Sequence, residues 1–313
     1  MSEKSFDSAR VLARSNLYSE IRAYFLSESV LEVEVPTLGV GGATDPYLAS
    51  FQCSEAGQSF YLQTSPEFFL KRLLCRGSGD VFTLCKSFRS GEAGARHNPE
   101  FTMLEWYRLG FQLQELIDDV LSMLRYTGVD LPVSTFSYGE LFQQFVGVNP
   151  HQASTDELQN ALARWDADLS AQLEHSAALD FLFTHAVESN LPAGCVVISD
   201  YPACQAALAK VQVDSNGDQV ARRFELYING MELANGYAEL TDANEQAKRF
   251  EGDNQRRLQL GLPEVTADLS LVTALRKGMP ECAGVAVGVD RLLMLLTGHS
   301  RIEECLLFPW RDL

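Results

Sequence analysis

Residues 81–107 read VFTLCKSFRSGEAGARHNPEFTMLEWY, and this stretch decides the fold prediction. Residues 81–88 are mostly apolar and alternate, and the residues from 101 onward repeat their character at every second position. Both runs are predicted to be strands, because side chains along a strand alternate between two faces. The loop between them, residues 89–99, carries two glycines, two arginines, a histidine and an asparagine.

The second strand places chemically useful side chains on one face. Period-2 alternation puts Phe101, Glu105 and Tyr107 on the same side of the sheet. A planar base could stack on the aromatic ring, and a cation could lie between the carboxylate and the phenol. Arg89 and His97 in the loop could clamp an anion. The plainer alternative is a hairpin whose basic loop is solvated and binds nothing.

The segment resembles motif 2 of the class II aminoacyl-tRNA synthetases, and residues 97–107 are similar to the lysyl-tRNA synthetase branch. An arginine follows an aromatic residue, a loop comes next, and His97, Phe101 and Glu105 follow at regular spacing. The resemblance implies an α+β fold, with an antiparallel sheet flanked by helices, and an ATP site in this motif. The residues that it places at ATP are Arg89, Ser90, Gly91, Glu92, His97, Asn98 and Phe101.

Composition limits the classes of function. Of the 313 residues, 46% are hydrophobic and 21% charged, as in a soluble globular protein. The formal net charge of −17 argues against a large phosphate-binding surface, so no tRNA partner is expected. Seven cysteines without a CxxC pair indicate reduced thiols in a cytoplasmic protein rather than disulfides or a zinc site. No apolar run is long enough to span a membrane, so no membrane association is predicted.

A helix followed by a short strand is predicted near the N-terminus. Residues 8–29 have apolar side chains at helical spacing, with Asp7 or Ser8 as the cap, and residues 30–35 alternate. This pair resembles motif 1 of the class II synthetases, which forms the dimer interface in that family, so a homodimer is implied. Because the element begins so early, no anticodon-binding domain is expected before it, and residues 1–313 are predicted to form a single catalytic domain.

Ser65-Pro66-Glu67 is typical of a helix start, with serine at the cap, proline in the first turn and a carboxylate near the positive helix end. A good helix start needs no other role. In the family, however, this glutamate meets the α-amino group of the amino acid, so the resemblance implies that Ser65, Pro66 and Glu67 bind substrate. The glycine-rich residues 39–45 are predicted to form a mobile loop over the site.

Elsewhere the periodicity predicts secondary structure without a recognisable motif. Residues 112–126 are predicted to form an amphipathic helix, 130–190 further helices joined by polar turns, and 195–199 a buried strand.

Residues 222–239, RRFELYINGMELANGYAE, are predicted to form a hairpin. Asn229-Gly230 between two alternating runs signals a two-residue type I′ turn. Such a turn pairs Ile228 with Met231 and sets the register of everything that follows.

The predicted register brings two carboxylates together. Tyr227 pairs with Glu232 and Glu225 with Ala234, so the two glutamates lie diagonally on one face. Diagonal neighbours are about 7–8 Å apart, close enough to share a metal ion. Like charges on one face repel unless a cation bridges them. The alternative is a solvated face with two surface glutamates.

The return strand adds a resemblance of its own. Asn235-Gly236 predicts a bulge, which would aim Asn235 and Glu239 into the pocket. ELANGYAEL, residues 232–240, resembles the ExxNGxxEL segment of lysyl-tRNA synthetases. The roles that the resemblance implies are Mg²⁺ binding by Glu225 and Glu232, ATP binding by Glu232 and Leu233, α-carboxylate binding by Asn235, and ε-ammonium binding by Glu239 with Glu105 and Tyr107.

Residues 284–291, GVAVGVDR, alternate like a buried strand and lead into an apolar helix. The segment resembles motif 3 of the class II synthetases. In the family the arginine at the junction, here Arg291, packs on the adenine opposite Phe101 and reaches the phosphates. The resemblance implies Arg89 and Arg291 as the catalytic residues and Gly288 as a further ATP contact.

Two positions depart from the family pattern. The motif 2 glutamate, Glu92, stands one place later than usual, and Ala286 replaces the middle glycine of motif 3. The alanine methyl group should reshape the substrate pocket and disfavour α-lysine. In this alanine and in the expected lack of an N-terminal domain, the chain resembles the lysyl-tRNA synthetase paralogues that modify elongation factor P. In that family (R)-β-lysine is joined to a lysine side chain of the factor, which implies ATP, Mg²⁺, a lysine-type amino acid and elongation factor P as ligands.

Two alternative functions stay open at this point. One is a truncated synthetase that charges a tRNA, and the other is a catalytically dead regulator that binds amino acid and ATP as signals. The intact set Arg89, Phe101, Glu225, Glu232 and Arg291 argues against the dead form.

Overall fold

The computed structural model of the chain describes residues 7–166, 168 and 173–313. The chain divides into two units: unit 1 comprises the described residues of Met1–Asp130 and Thr241–Leu313, and unit 2 those of Leu131–Leu240. None of the helices in these residues is long and apolar enough to cross a membrane. The single catalytic domain stays a prediction.

Helices and strands alternate irregularly along the chain. The helices of the described residues are α1 Ser8–Ser27, α2 Glu67–Leu74, α3 Leu113–Tyr126, α4 Tyr138–Phe145, α5 Thr155–Leu162, α6 His175–Leu182, α7 Ala243–Gln259, α8 Leu269–Leu275 and α9 Val289–Thr297. The strands are β1 Leu31–Glu32, β2 Leu38–Gly39, β3 Gln52–Glu55, β4 Gln58–Leu62, β5 Val81–Phe88, β6 Glu100–Leu109, β7 Val133–Ser137, β8 Cys195–Pro202, β9 Val211–Val213, β10 Gln219–Ile228, β11 Met231–Ala238 and β12 Cys282–Gly288.

The main sheet of unit 1 is built around β6, the second strand of the segment that decided the fold prediction. β5 and β12 flank β6 on either side, both antiparallel, and β1 pairs with β5 in parallel. α1 packs its apolar side onto this sheet: the ring of Phe25 lies 4.4 Å from that of Phe82 and 5.1 Å from that of Trp106, centroid to centroid. β2, β4 and β3 form a separate small antiparallel sheet.

Unit 2 contains a sheet centred on β10. β8 and β11 pair with β10 in antiparallel fashion, β7 pairs with β8 in parallel, and β9 pairs with the start of β10. α4, α5 and α6 supply much of its core, in which the Tyr138 ring stacks on that of Phe183 at 4.5 Å and tilts against that of Tyr201 at 4.9 Å. Each unit therefore combines mostly antiparallel strands with covering helices, as the predicted α+β class requires.

The N-terminal prediction is confirmed for the helix and shortened for the strand. Asp7 caps α1 by accepting a hydrogen bond from the Arg10 amide. The strand expected over 30–35 is reduced to β1, because the chain leaves β5 once the Val33 amide has donated to the Phe82 carbonyl at 2.8 Å.

The region 130–190 contains the predicted helices and also a strand that the sequence analysis missed, β7. Its sequence, VSTFS, is short and interrupted by serine and threonine, so its pattern resembles a polar turn. The segment forms a strand because it pairs in parallel with β8. Its own β-propensity is weak, so the tertiary contact decides its structure.

Candidate active site

Glu105 lies in the middle of β6, and polar groups of unit 1 enclose its carboxyl group. The Ser65 hydroxyl donates to Oε2 at 2.6 Å, and the Tyr107 hydroxyl donates to Oε1 at 2.8 Å. Only 2% of the residue is exposed. The predicted shared face of Glu105 and Tyr107 is therefore present, and Ser65 joins it from the turn before α2.

The titration of Glu105 is strongly shifted. Burial, with a smaller contribution from the Glu67 carboxylate, raises the pKa of Glu105 to about 8. The hydrogen bonds from Ser65 and Tyr107 and the charge of Lys71 act in the opposite direction. A buried carboxyl group with a pKa near neutrality gains its charge when a cation binds beside it. An ammonium group is the kind of ligand that this arrangement suits.

The turn before α2 differs slightly from its prediction. Pro66, not Ser65, is the cap residue, and Glu67 is the first residue of the helix. Ser65 Oγ accepts from the Glu67 amide at 3.0 Å while its own proton goes to Glu105, so its hydroxyl serves both the turn and the site. The Glu67 carboxylate, through Oε1, lies 2.5 Å from Lys71 Nζ.

Ala286 lies directly opposite Glu105 in the β6–β12 pairing. Opposed residues of an antiparallel pair point to the same face, with Cβ atoms about 4.5–5.5 Å apart. The alanine methyl group therefore lies beside the Glu105 side chain on the same face of the sheet. This register fits the predicted position of Ala286 in the substrate pocket.

The predicted ATP loop after β5 is organised by Arg89. Its guanidinium carbon lies 5.2 Å from the centre of the Phe101 ring, and its Nη1 atom is 3.9 Å from Glu92 Oε2. The glutamate that stands one place late thus pairs with the arginine that we predict to be catalytic. A base stacked on Phe101 would use the ring face opposite Arg89.

His97 and Arg291 are joined to one another. Arg291 Nη2 lies 2.6 Å from His97 Nε2, and Arg291 Nε donates to the Arg96 carbonyl at 3.3 Å. Burial, and next the charge of Arg291, lower the pKa of His97. This contact with the imidazole orients the Arg291 guanidinium. The anion clamp by Arg89 and His97 stays a prediction.

Some predicted ATP residues hold the loop itself. Asn98 Oδ1 accepts from the Trp310 amide at 3.0 Å, and Asn98 Nδ2 donates to the Glu100 carbonyl at 2.6 Å. The Ser90 amide donates to the Ala49 carbonyl at 2.8 Å. Both polar atoms of the Asn98 side chain therefore form hydrogen bonds within the protein. Its contact with ATP stays a prediction.

Two glycines and the glycine-rich loop complete the predictions for unit 1. Gly91 lies in the loop with φ of +83°, and Gly288 is the cap residue of α9. The loop 39–45 is held in place by a 2.6 Å hydrogen bond from Thr44 Oγ1 to Asp253 Oδ2. Its predicted mobility stays a prediction.

The β10–β11 turn in unit 2 forms as predicted. Asn229 and Gly230 have φ of 49° and 70°, and positive values at both central residues are what a type I′ turn requires. Ile228 pairs with Met231. Local sequence alone was sufficient for this turn.

The register beyond the turn differs from the prediction. Glu225 pairs with Asn235 and not with Ala234. β11 contains one more residue than β10 between this pair and the turn, which places the bulge at Leu233 rather than at the predicted Asn235-Gly236. The glycine had suggested the site of the bulge, but Gly236 has no positive φ and pairs regularly.

The displaced bulge has a consequence for the face of the sheet. Glu232 and Asn235 are three residues apart and would point to opposite faces of a regular strand. Because Glu232 pairs with Tyr227 and Asn235 with Glu225, the extra residue places all four side chains on one face. Leu233, predicted at ATP, is buried at 2% exposure.

The two predicted Mg²⁺ ligands interact electrostatically. Arg223 Nη2 donates to Glu225 Oε1 at 2.5 Å, and the Tyr227 hydroxyl donates to Oε2 at 2.6 Å. Burial raises the pKa of Glu225; the charge of Arg223 opposes this, and the nearby Glu232 carboxylate adds to it. The pair is thus close enough to repel, as the prediction of a cation between them requires.

Arg223 and Glu188 are charged neighbours of this pair that the sequence-based predictions did not include. Arg223 could have been found, because it precedes Glu225 by two residues and so shares its face. Glu188 offered no signal: it lies far away in sequence, and burial together with the charges of Glu225 and Glu232 raises its pKa.

The donors that Glu225 and Glu232 present are carboxylate oxygens, the ligand type that Mg²⁺ prefers. In the part of the chain that the structure describes, no cluster of three or more His, Cys, Asp or Glu side chains is arranged to hold a metal ion. Mg²⁺ is usually bound through one or two carboxylates together with substrate phosphates, so Glu225 and Glu232 fit such a site.

The remaining predicted substrate residues, Asn235 and Glu239, lie in unit 2. The Asn235 Oδ1 atom is buried and has no hydrogen-bond partner in the described residues. Glu239 is 2% exposed. Buried polar atoms normally have a partner, so the Asn235 amide fits a ligand-binding role.

The amino-acid sequence is similar to those of known proteins. A family model described as tRNA synthetases class II (D, K and N) matches residues 3–312, and the predicted class II fold is thereby confirmed. The elongation factor P–(R)-β-lysine ligase of Mannheimia succiniciproducens is 46% identical over 308 residues, which are 95% of this chain and 94% of that protein. Ligases of the same name from Pasteurella multocida and Sodalis glossinidius are 44% identical over 305 residues and 42% identical over 312 residues. These matches cover 95% and 96% of this chain, and 94% of each relative.

Proposed function

Because the chain belongs to the class II tRNA synthetases (D, K and N), we propose that it is an ATP-dependent ligase that joins (R)-β-lysine to a lysine side chain of elongation factor P. The observation that carries the proposal is the buried Glu105 carboxyl group, with Tyr107 and Ser65 as partners and the Ala286 methyl group opposite. This arrangement suits an ammonium group of a lysine-type amino acid. The acceptor is taken from the names of the relatives.

The first step joins the amino acid to ATP. The carboxylate of the amino acid attacks the α-phosphorus of ATP. The bond between the α-phosphorus and the oxygen that bridges the α- and β-phosphates breaks, and pyrophosphate leaves with the electron pair. Arg89 and Arg291 stabilise the charge that develops on the phosphate oxygens, as fixed donors do in a preorganised site. Mg²⁺, held by Glu225 and Glu232, would neutralise phosphate charge. His97 and Glu92 keep the two guanidinium groups in position.

The second step transfers the aminoacyl group. The uncharged ε-amine of an acceptor lysine attacks the carbonyl carbon of the adenylate, AMP leaves, and the amine loses a proton as the amide forms. No nucleophilic side chain of this chain is required, because positioning of the two reactants supplies the catalysis. Asn235 and Glu239 bind the amino acid in this proposal.

We also propose a cytoplasmic homodimer that uses α1 and β1. Leu12 and Leu26 of α1 are 60% and 80% exposed, and Leu31 of β1 is 58% exposed. Large apolar side chains exposed on neighbouring elements are typical of an interaction surface.

The experiment is an acceptor competition. The protein is incubated with ATP, Mg²⁺ and (R)-β-lysine, together with either purified elongation factor P or bulk tRNA, and each acceptor is analysed by mass spectrometry. We expect elongation factor P to gain the mass of one β-lysyl group and tRNA to gain none. Elongation factor P with its acceptor lysine replaced by arginine is the matched control.

The other outcomes select other functions. Efficient charging of tRNA with no mass added to elongation factor P would favour a truncated synthetase. Amino acid and ATP binding without pyrophosphate release would favour a regulator.

A further inference from the structure

Lys71 is a buried lysine to which the sequence analysis assigned no function. Its side chain is 1% exposed, and its Nζ atom lies 2.5 Å from Oε1 of Glu67, one turn earlier on α2. Lysine is almost never fully buried unless its charge is paired. A glutamate four residues before a lysine is also the favourable order along a helix. The structure therefore pairs a buried lysine with a partly buried glutamate in the helix that borders the Glu105 site.

The ion pair belongs to the surroundings of Glu105. Glu67 and Lys71 both act on the Glu105 carboxyl group, in opposite directions. Cys85, on the neighbouring strand, is neutral, because burial and then Glu105 raise the pKa of its thiol to about 12. The titratable and charged groups that face one another here are Glu67 and Lys71 of α2, Glu105 and Tyr107 of β6, and Cys85 of β5.

The charges of these groups give the carboxyl groups of Glu67 and Glu105 different roles. Glu105 is buried and Glu67 is partly buried, and the Glu67 carboxylate raises the pKa of Glu105. The ion pair with Lys71 holds the Glu67 carboxylate in one orientation. The Glu105 carboxyl group accepts from the uncharged hydroxyl groups of Ser65 and Tyr107, so it can still pair with a cationic group of a ligand.

We propose that Lys71 is a positioning residue of the amino-acid site, which holds the Glu67 carboxylate in place and leaves Glu105 to pair with an ammonium group of the substrate. The inference rests on the proposed function, since it needs an amino acid with a cationic group in the site. It goes further by assigning part of the affinity for that amino acid to a lysine whose side chain is 1% exposed and paired with Glu67.

The test measures amino-acid-dependent exchange of pyrophosphate into ATP with the Lys71→Met variant. We expect the KM for the lysine-type amino acid to rise about tenfold or more, with the KM for ATP little changed, because the altered group serves only the amino-acid site. The dependence of amino-acid KM on pH should also move to higher pH, because Glu105 ionises less readily beside an unbalanced Glu67. Lys277→Met, at an exposed position, is the matched control and should change neither quantity.

A double-mutant cycle separates positioning from general loss of structure. In a Glu67→Gln background, Lys71→Met should no longer raise the KM for the amino acid, because the carboxylate that it orients is gone. An equal rise in both backgrounds, or equal rises for amino acid and ATP, overturns the inference. Thermal unfolding checks each variant, and Lys71→Gln replaces Lys71→Met in the same comparison if the latter does not fold. If the wild-type protein shows no pyrophosphate exchange with any lysine-type amino acid, the proposed function itself is overturned.

Discussion

At the scale of single residues, the methyl group of Ala286 faces the carboxyl group of Glu105 across two paired strands. We predict that Ala286→Gly shifts the preference of the enzyme from β-lysine toward α-lysine. A methyl group in a pocket is worth about 1–3 kcal/mol, so the ratio of the two kcat/KM values should change roughly tenfold or more. Pyrophosphate exchange with each amino acid measures it. An unchanged ratio would place the methyl group outside the pocket.

Arg89 is the residue at which the loss of one charge should matter most. Its guanidinium is held by the Phe101 ring and by Glu92, ready to meet a phosphate. Arg89→Ala should lower kcat for pyrophosphate exchange by about 10²–10³, the usual effect of removing one transition-state donor. Arg76→Ala, at an exposed position on the same unit, is the control. Normal exchange by Arg89→Ala would contradict its assigned role.

At the scale of elements, the β10–β11 hairpin places Glu225 and Glu232 on one face. Glu225→Gln and Glu232→Gln should each raise the Mg²⁺ concentration for half-maximal exchange by about tenfold or more, since even indirect changes at metal sites weaken binding by that amount. A titration with MgCl₂ at saturating ATP measures this. Glu264→Gln, on the surface, serves as the control. If all three variants match the wild type, the two glutamates do not bind the metal.

The turn of that hairpin makes a prediction about stability. Gly230→Ala forces an alanine to φ of +70°, which should destabilise the protein by about 1–2 kcal/mol. Gly252→Ala adds its Cβ to the middle of α7, where nothing lies within 4 Å, and should stabilise by about 0.5–1 kcal/mol. Urea unfolding of both variants measures the effect of the same glycine-to-alanine change in two backbone conformations, a turn and a helix. Equal effects would mean that the turn is not under the expected constraint.

At the scale of the whole molecule, Glu105 links folding to pH. Its carboxyl group titrates at about 8 when folded, against 4.5 ordinarily. Between these values the folded chain binds more protons than the unfolded chain, so this group lowers the free energy of unfolding as pH rises. Glu105→Gln, which cannot titrate, should gain stability relative to wild type between about pH 5 and about pH 8. Urea unfolding across that range tests it, and a constant difference between the two proteins would refute it.

Local chemistry in the sequence was enough for several features of the fold and the site. The Asn229-Gly230 turn, the first helix and the shared face of Glu105 and Tyr107 depend on neighbours along the chain, on φ preferences and on strand alternation. The resemblance to synthetase motifs added the roles, since spacing alone could not assign ATP or an amino acid to these residues.

Other features depended on contacts between distant segments, and only the tertiary structure decided them. The bulge at Leu233 follows from how two strands pair, and no residue near it signals the shift. The pKa of His97 is lowered by burial and by the charge of Arg291, which lies far along the chain. Lys71 stands among apolar residues of a helix, and only burial beside Glu67 and Glu105 turns it from a surface lysine into part of the site. Each of these features depends on desolvation or on pairing between distant segments. Both arise only when the chain has folded, so no local sequence pattern signals them.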